Sequence, residues 1–221
     1  MTGFYLKIIA ITTMLIDHIG AVFLDFGSLE YLVFRSIGRL AFPIFAFLIA
    51  EGCEKTSDIK RYMLRLFIFA WISEVPFDLA FYNSFFDFSH QNIFFTLFLG
   101  AAAIYIYNLA YNKDGLIRYG AYIIPFALMI VAEALRTDYG AIGVFLIFFI
   151  YLNRERRLNK FIIIALGNAM LTSPKYPVQL FGIVSLIPLY FYNGERGRNI
   201  KYIFYIFYPL HLLVLGIINR V

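Results

Sequence analysis

The chain has 221 residues, 62% of them hydrophobic and 15% charged, and a formal net charge of +5. A soluble domain has roughly 45–50% apolar and about 25% charged residues, so the composition sets a soluble domain aside in favour of a membrane protein. Nucleic-acid binding needs a clustered basic face, whereas the bases here come in small groups between apolar runs, so no nucleic-acid partner is expected.

About 20 apolar residues cross a bilayer as a helix, within a range of about 17–25. On that scale, spans are predicted at 4–24, 31–51, 60–82, 93–112, 117–135, 139–153, 158–173, 177–193 and 199–219. The predicted fold is all-α, a polytopic transmembrane helical bundle of about nine spans forming a single integral membrane domain over 1–221. The sixth and seventh spans are short, and one of them is open to a re-entrant or tilted path. The first run follows MTGFYLK without a small-residue cleavage site, so it reads as a retained helix and not a removed signal peptide.

The first span carries LIDHIG, in which Asp17 and His18 stand side by side where a bilayer penalises both. Neighbours on a helix point about 100° apart, so Asp17 is expected to turn toward Arg35 or Arg39 while His18 faces a chamber. Lys7 lies eleven residues before His18, near three helical turns, on one stripe with Ile11 and Met14 and about 16 Å away along the axis. The second span contributes Arg35 and Arg39, and the third Glu74 and Asp78, each pair four residues apart on one helix face. Two cations facing two carboxylates form a ladder, which either fixes helix register or lines a polar chamber. Cys53, the only cysteine, excludes an internal disulfide and gives no support to a metal site.

The loop NSFFDFSHQN, 83–92, offers His90, Gln91 and Asn92 as a lid or an acceptor-binding segment. Glu133, Arg136 and Asp138 sit near the end of the fifth span, where solvation or pairing is expected, and His211 lies in the last. Pro43, Pro76 and Pro209 interrupt helical hydrogen bonding near the polar positions, which frees carbonyls for a ligand or kinks the helices.

Lysine and arginine prefer cytoplasmic loops. Even-numbered loops hold Lys55, Lys60 and Arg61, then Lys113 and Arg118, then Arg154, Arg156, Arg157 and Lys160, then Arg196, Arg198 and Lys201. Odd-numbered loops and the C-terminus hold only Arg136, Lys175 and Arg220. A cytoplasmic N-terminus and an outer C-terminus follow. At ~1.5 Å per residue, Asp17, His18, Arg35, Arg39, Glu74, Asp78 and His211 then share one layer in the outer half of the membrane.

The stretches LKIIAITTMLIDHIG (6–20), RSIGRLAFPIFAFLIAEG (35–52), RLFIFAWISEVPFDLAF (65–81), HQNIFFTLFLG (90–100), DYGAIGVFLI (138–147) and YIFYIFYPLHLL (202–213) resemble the TraX family of membrane proteins, named for the F-pilin N-acetylase. The resemblance implies an acetyltransferase of the bacterial plasma membrane that takes acetyl from acetyl-CoA. Lys7 and His18 are also similar to the basic residue, ten intervening positions and histidine that mark broader membrane acyltransferases. The Arg35–Arg39 pair is spaced one residue wider than theirs.

The combined expectation is that Lys7, with Arg61 or Arg65, holds the phosphates of coenzyme A at the cytoplasmic side. His18 then acts as general base on an acceptor amine or hydroxyl, or itself accepts the acetyl group. The arginines steady the developing negative charge. The acceptor is a peptide N-terminus or a glycan. The competing readings are a proton-coupled transporter, since intramembrane carboxylates and histidines also form proton relays, and a non-catalytic assembly factor for surface structures.

Overall fold

The computed structural model describes residues 1–174, 177–198 and 201–220. Lys175 and the side chain of Lys201, both counted in the loop-charge pattern, lie outside the described residues. The described residues form α1 (Gly3–Phe23), α2 (Leu29–Gly38), α3 (Ala41–Lys55), α4 (Ile59–Tyr82), α5 (Ile93–Ala110), α6 (Leu116–Ala134), α7 (Gly140–Leu152), α8 (Arg157–Leu171), a 3-10 segment (Pro177–Ser185), α9 (Leu186–Tyr190) and α10 (Lys201–Ile218). Among the described residues, four stretches are long and apolar enough to cross a membrane: Gly3–Phe23, Leu29–Lys55, Ile93–Ala110 and Leu116–Ala134. Large apolar side chains such as Trp71, Leu116, Ile123 and Ile130 point outward, as a bundle bathed in lipid requires.

Local chemistry sets the helix starts. Ser28 accepts a hydrogen bond from the Tyr31 N–H, Asp58 from Arg61 and Asn92 from Phe94, so each satisfies an orphan donor in a first turn. Asn83, in the left-handed region at φ 52°, ends α4.

The second predicted span is not one helix. Pro43 has no N–H to give the carbonyl of Arg39, and its ring crowds that carbonyl, so α2 stops at Gly38 and α3 restarts at Ala41. Pro43 therefore falls in a first turn, where its missing donor costs nothing. The eighth predicted span also departs from an α-helix. It begins at Pro177 as a 3-10 segment and continues as the five residues of α9. The 3-10 rise of ~2.0 Å per residue lets this short sequence reach further than an α-helix of equal length.

The short sixth span, α7, is apolar all round and occupies the middle of the bundle. Val144, Leu146, Ile147 and Phe148 are fully buried there. It packs against α3, α5, α6 and α8, so protein and not lipid covers it.

Segments distant in sequence meet at two ends of the bundle. At one end the N-terminal ammonium donates to the Phe191 carbonyl and the Gly3 N–H to that of Glu195, while Lys55 Nζ reaches the Gly194 carbonyl. At the other, Gln91 N–H donates to Arg136 O, Asp138 N–H to Gln91 O, and Arg220 to Asn83. Lys55, Arg154, Arg157 and Lys160 lie together with Gly194 at the first end.

Candidate functional site

α1 supplies the spine. Lys7, Met14, Asp17 and His18 line one cavity of about 460 Å³ that is bounded by side chains from both ends of the bundle. At the N-terminal end its wall is basic: Lys7, Lys55, Arg65, Arg196 and Arg198. Lys55 is neutralised by Glu51 at 2.7 Å. None of the ion pairs among the described residues engages Lys7, Arg65, Arg196 or Arg198. Lys7 Nζ lies 5.2 Å from the centre of the Phe204 ring, and the buried Nε of Arg65 has no hydrogen-bond partner among the described residues.

Deeper in, Asp17 is buried and binds two guanidinium groups. Arg35 Nη1 lies 2.6 Å from Asp17 Oδ2, and Arg39 Nη2 donates to Oδ1. Arg39 is fixed further by donating through Nη1 to Gln179 Oε1 at 3.2 Å and through Nε to the Arg35 carbonyl at 3.2 Å. Both Asp17 oxygens are thus committed to the arginines and not to the imidazole beside them in sequence. This arrangement needs α1 and α2 in close approach, which small residues permit. Gly20 faces Phe34, and a Cβ at Gly38 would overlap the Asp17 carboxylate. Gly38→Ala is expected to cost about 1–3 kcal/mol through overpacking, read as a lower thermal midpoint of the purified protein in detergent.

His18 is half-buried and lines the cavity, with Phe81 and Tyr208 edge-on to its ring at 5.3 and 6.1 Å. Its Nδ1 lies 2.7 Å from Nε2 of His211, whose Nδ1 is in turn 2.7 Å from the Phe207 carbonyl oxygen. No hydrogen bond among the described residues reaches His18 Nε2.

At the opposite end the cavity is bounded by His90, Asp138 and Tyr139. His90 Nε2 lies 3.8 Å from Asp138 Oδ1, and that carboxylate raises the His90 pKa above the ordinary histidine value. Tyr139 takes a left-handed backbone at φ 62° just before Gly140, which stacks its ring on Phe42 with centroids 3.7 Å apart.

Several expected site residues lie elsewhere. The ladder between Arg35 and Arg39 on one side and Glu74 and Asp78 on the other does not form. Glu74 accepts from Asn92, and Asp78 Oδ2 accepts the Asp87 N–H at 2.8 Å, because α4 turns these carboxylates toward α5 and the following loop. Asn92 is fully buried, caps α5 and donates to the Ala70 carbonyl at 2.8 Å, so it ties α4 to α5 and does not meet the cavity. Gln91 reaches the Phe88 carbonyl, also outside the cavity. Arg61 is largely exposed and pairs with Asp58 at 3.0 Å, away from the basic wall that holds Lys7 and Arg65. His211 meets His18 and does not line the cavity itself.

A family model described as TraX protein matches residues 3–219. The chain belongs to the TraX family. It is also similar to the probable fimbrial assembly protein FimC, serogroup H1, of Dichelobacter nodosus, at 27% identity over 246 residues that cover 97% of this chain and 94% of that protein. No solved structure shows a significant match. The TraX match takes in every element that lines the cavity.

Other residues of this TraX chain gain a place at the site from the structure alone. Gln179 holds Arg39 from the 3-10 segment, and Tyr192 bonds both Lys55 and Glu51 at the basic end. Their distance in sequence from α1 hides them. The one available signal was the cluster of bases around Arg196 and Arg198.

Proposed function

We propose that this TraX-family membrane protein is an acyltransferase that moves an acetyl group from acetyl-CoA to an amine or hydroxyl acceptor. The observation that carries the reading is the cavity itself. It begins among bases of which only Lys55 is ion-paired among the described residues, and it reaches His18, with the Asp17-held arginines beside it. A nucleotide with several phosphates suits such a wall, and the orphaned buried Nε of Arg65 is a donor in search of an anion. The ~16 Å between Lys7 and His18 along α1 is comparable to an extended pantetheine arm, which would bring the thioester to the imidazole.

Lys7, Arg65, Arg196 and Arg198 bind the phosphates, from the cytoplasm if the basic loops lie inward. His18 supplies the base, or the nucleophile of a two-step transfer. Arg35 and Arg39 offer positive charge where the thioester oxygen becomes negative, and their ion pairs with Asp17 hold them in place beforehand. The acceptor reaches the chamber from the opposite end, past His90 and Asp138. The name of the Dichelobacter relative supports an acceptor that belongs to a fimbrial structure, and equally supports a non-catalytic part in assembly.

Titration of the purified protein with coenzyme A separates an enzyme from a permease or an assembly factor. Lys7→Gln should weaken binding about tenfold or more, since one charge-assisted hydrogen bond is worth roughly 1.5–3 kcal/mol. Arg61→Gln should leave binding unchanged. Failure of the wild-type protein to bind, or a Lys7→Gln affinity equal to wild type, counts against the reading.

A further inference from the structure

Two histidine rings are laid out so that one arrangement of protons satisfies them. The Phe207 carbonyl can only accept, so His211 Nδ1, 2.7 Å away, carries a proton. A neutral imidazole holds one proton between its two nitrogens, which leaves His211 Nε2 as a lone-pair acceptor. His18 Nδ1 lies 2.7 Å from that acceptor and must donate to it. The ring planes agree within 8° and the centroids are 5.0 Å apart, so the rings meet edge to edge in nearly one plane, as an N–H···N bond requires. His18 is therefore protonated on Nδ1, and its Nε2 keeps a lone pair.

We infer that His211 is a positioning residue that holds His18 in the Nδ1–H tautomer, so that Nε2 is the reacting atom. In water a histidine side chain favours the opposite tautomer, which would put a proton where a base needs a lone pair. The partner of a catalytic imidazole commonly fixes its tautomer, and here a neutral ring anchored to a carbonyl does so in place of a carboxylate. Asp17, next in sequence, is occupied by Arg35 and Arg39 and is not available for that task.

The inference deepens the acyltransferase reading and rests on it for the chemistry. As the acceptor nitrogen or oxygen bonds to the thioester carbon, its proton moves to His18 Nε2. The carbon–sulfur bond then breaks, and that proton passes to the departing sulfur to give free coenzyme A and acetylated acceptor. While His18 carries the extra proton, its Nδ1–H continues to donate to His211, so the dyad need not rearrange.

The chain has three histidines, which makes the test tractable. Protein labelled with ¹⁵N-histidine and placed in lipid nanodiscs gives ring-nitrogen shifts, assigned with His90→Gln and His211→Gln variants. The expected spectrum shows His18 with a protonated Nδ1 and a lone-pair Nε2. His211→Gln offers an amide oxygen near the former Nε2, so it should keep that tautomer and a kcat, read as release of free thiol from acetyl-CoA, within about tenfold of wild type. His211→Leu offers no acceptor; the tautomer should shift and kcat should fall about a hundredfold or more, with little change in KM for acetyl-CoA. A proton on His18 Nε2 in the wild type overturns the inference, as does a His211→Leu variant with wild-type tautomer and rate. If the wild-type protein transfers no acetyl group, the acyltransferase reading fails, while the nitrogen spectrum still decides the tautomer.

Discussion

His18→Ala should lower acetyl transfer by about two to four orders of magnitude, the range a positioned general base supplies. Coenzyme A affinity should change by less than about twofold, because the basic wall is far from the substituted ring and shares no partner with it. The split between the two measurements is the informative part. A loss of both would mean that removing the ring collapses the cavity, since His18 also packs edge-on against Phe81 and Tyr208. A loss of rate alone locates the role of the imidazole after binding. Transfer or thioester hydrolysis at the wild-type rate by the alanine variant would remove His18 from the chemistry and leave the cavity to be read as a binding site or a pathway.

The reach of the sequence can be judged residue by residue. Helix positions were legible because lipid imposes an all-or-none rule on the backbone: runs of about 20 apolar residues become helices. The breaks were less legible. Pro43 was visible, but whether it kinked a helix or divided it depended on the Arg39 carbonyl that Pro43 cannot bond and on the Asp17 clamp that holds Arg35 in α2 and Arg39 at its C-cap. Depth along a helix is a one-dimensional quantity, and it placed seven ionisable groups in one layer. It carries no azimuth, so it could not tell that α4 directs Glu74 toward Asn92 while α2 directs Arg35 toward Asp17. For the same reason His18 and His211 shared a layer in the sequence, and only the direct packing of α1 on α10 joined them. The i, i+4 spacing of Glu74 and Asp78 was real, but the partners it suggested lie on the wrong side of the bundle. Where a neighbour on the same helix decided the outcome, as in the turning apart of Asp17 and His18, sequence was sufficient. Where a second helix decided it, sequence was not.

Asp17→Ala is expected to have the largest effect on stability. Its carboxylate is the shared counter-charge of Arg35 and Arg39, and all three side chains are largely shielded, at 8%, 22% and 11% exposure. Removing one member of a buried ion group leaves the rest uncompensated, at a cost of about 3–5 kcal/mol. For a chain of this length that corresponds to a fall in unfolding temperature on the order of 10 °C, measurable by thermal scanning in detergent. The cost comes from stranded guanidinium groups and not from lost attraction, and a second variant separates these causes. Replacing the whole group at once, Asp17→Leu with Arg35→Leu and Arg39→Met, removes the stranded charges and should recover most of the lost midpoint, because apolar packing of similar volume often equals or exceeds a buried ion pair. Acetyl transfer should not recover, since the charge stabilisation proposed for the two arginines is gone. If the triple variant regained activity along with stability, the three residues would be a register device and the charge stabilisation would have to come from elsewhere in the cavity. If neither variant moved the midpoint, the clamp would not be what holds α1 against α2, and the close approach at Gly38 would have to be explained by packing alone.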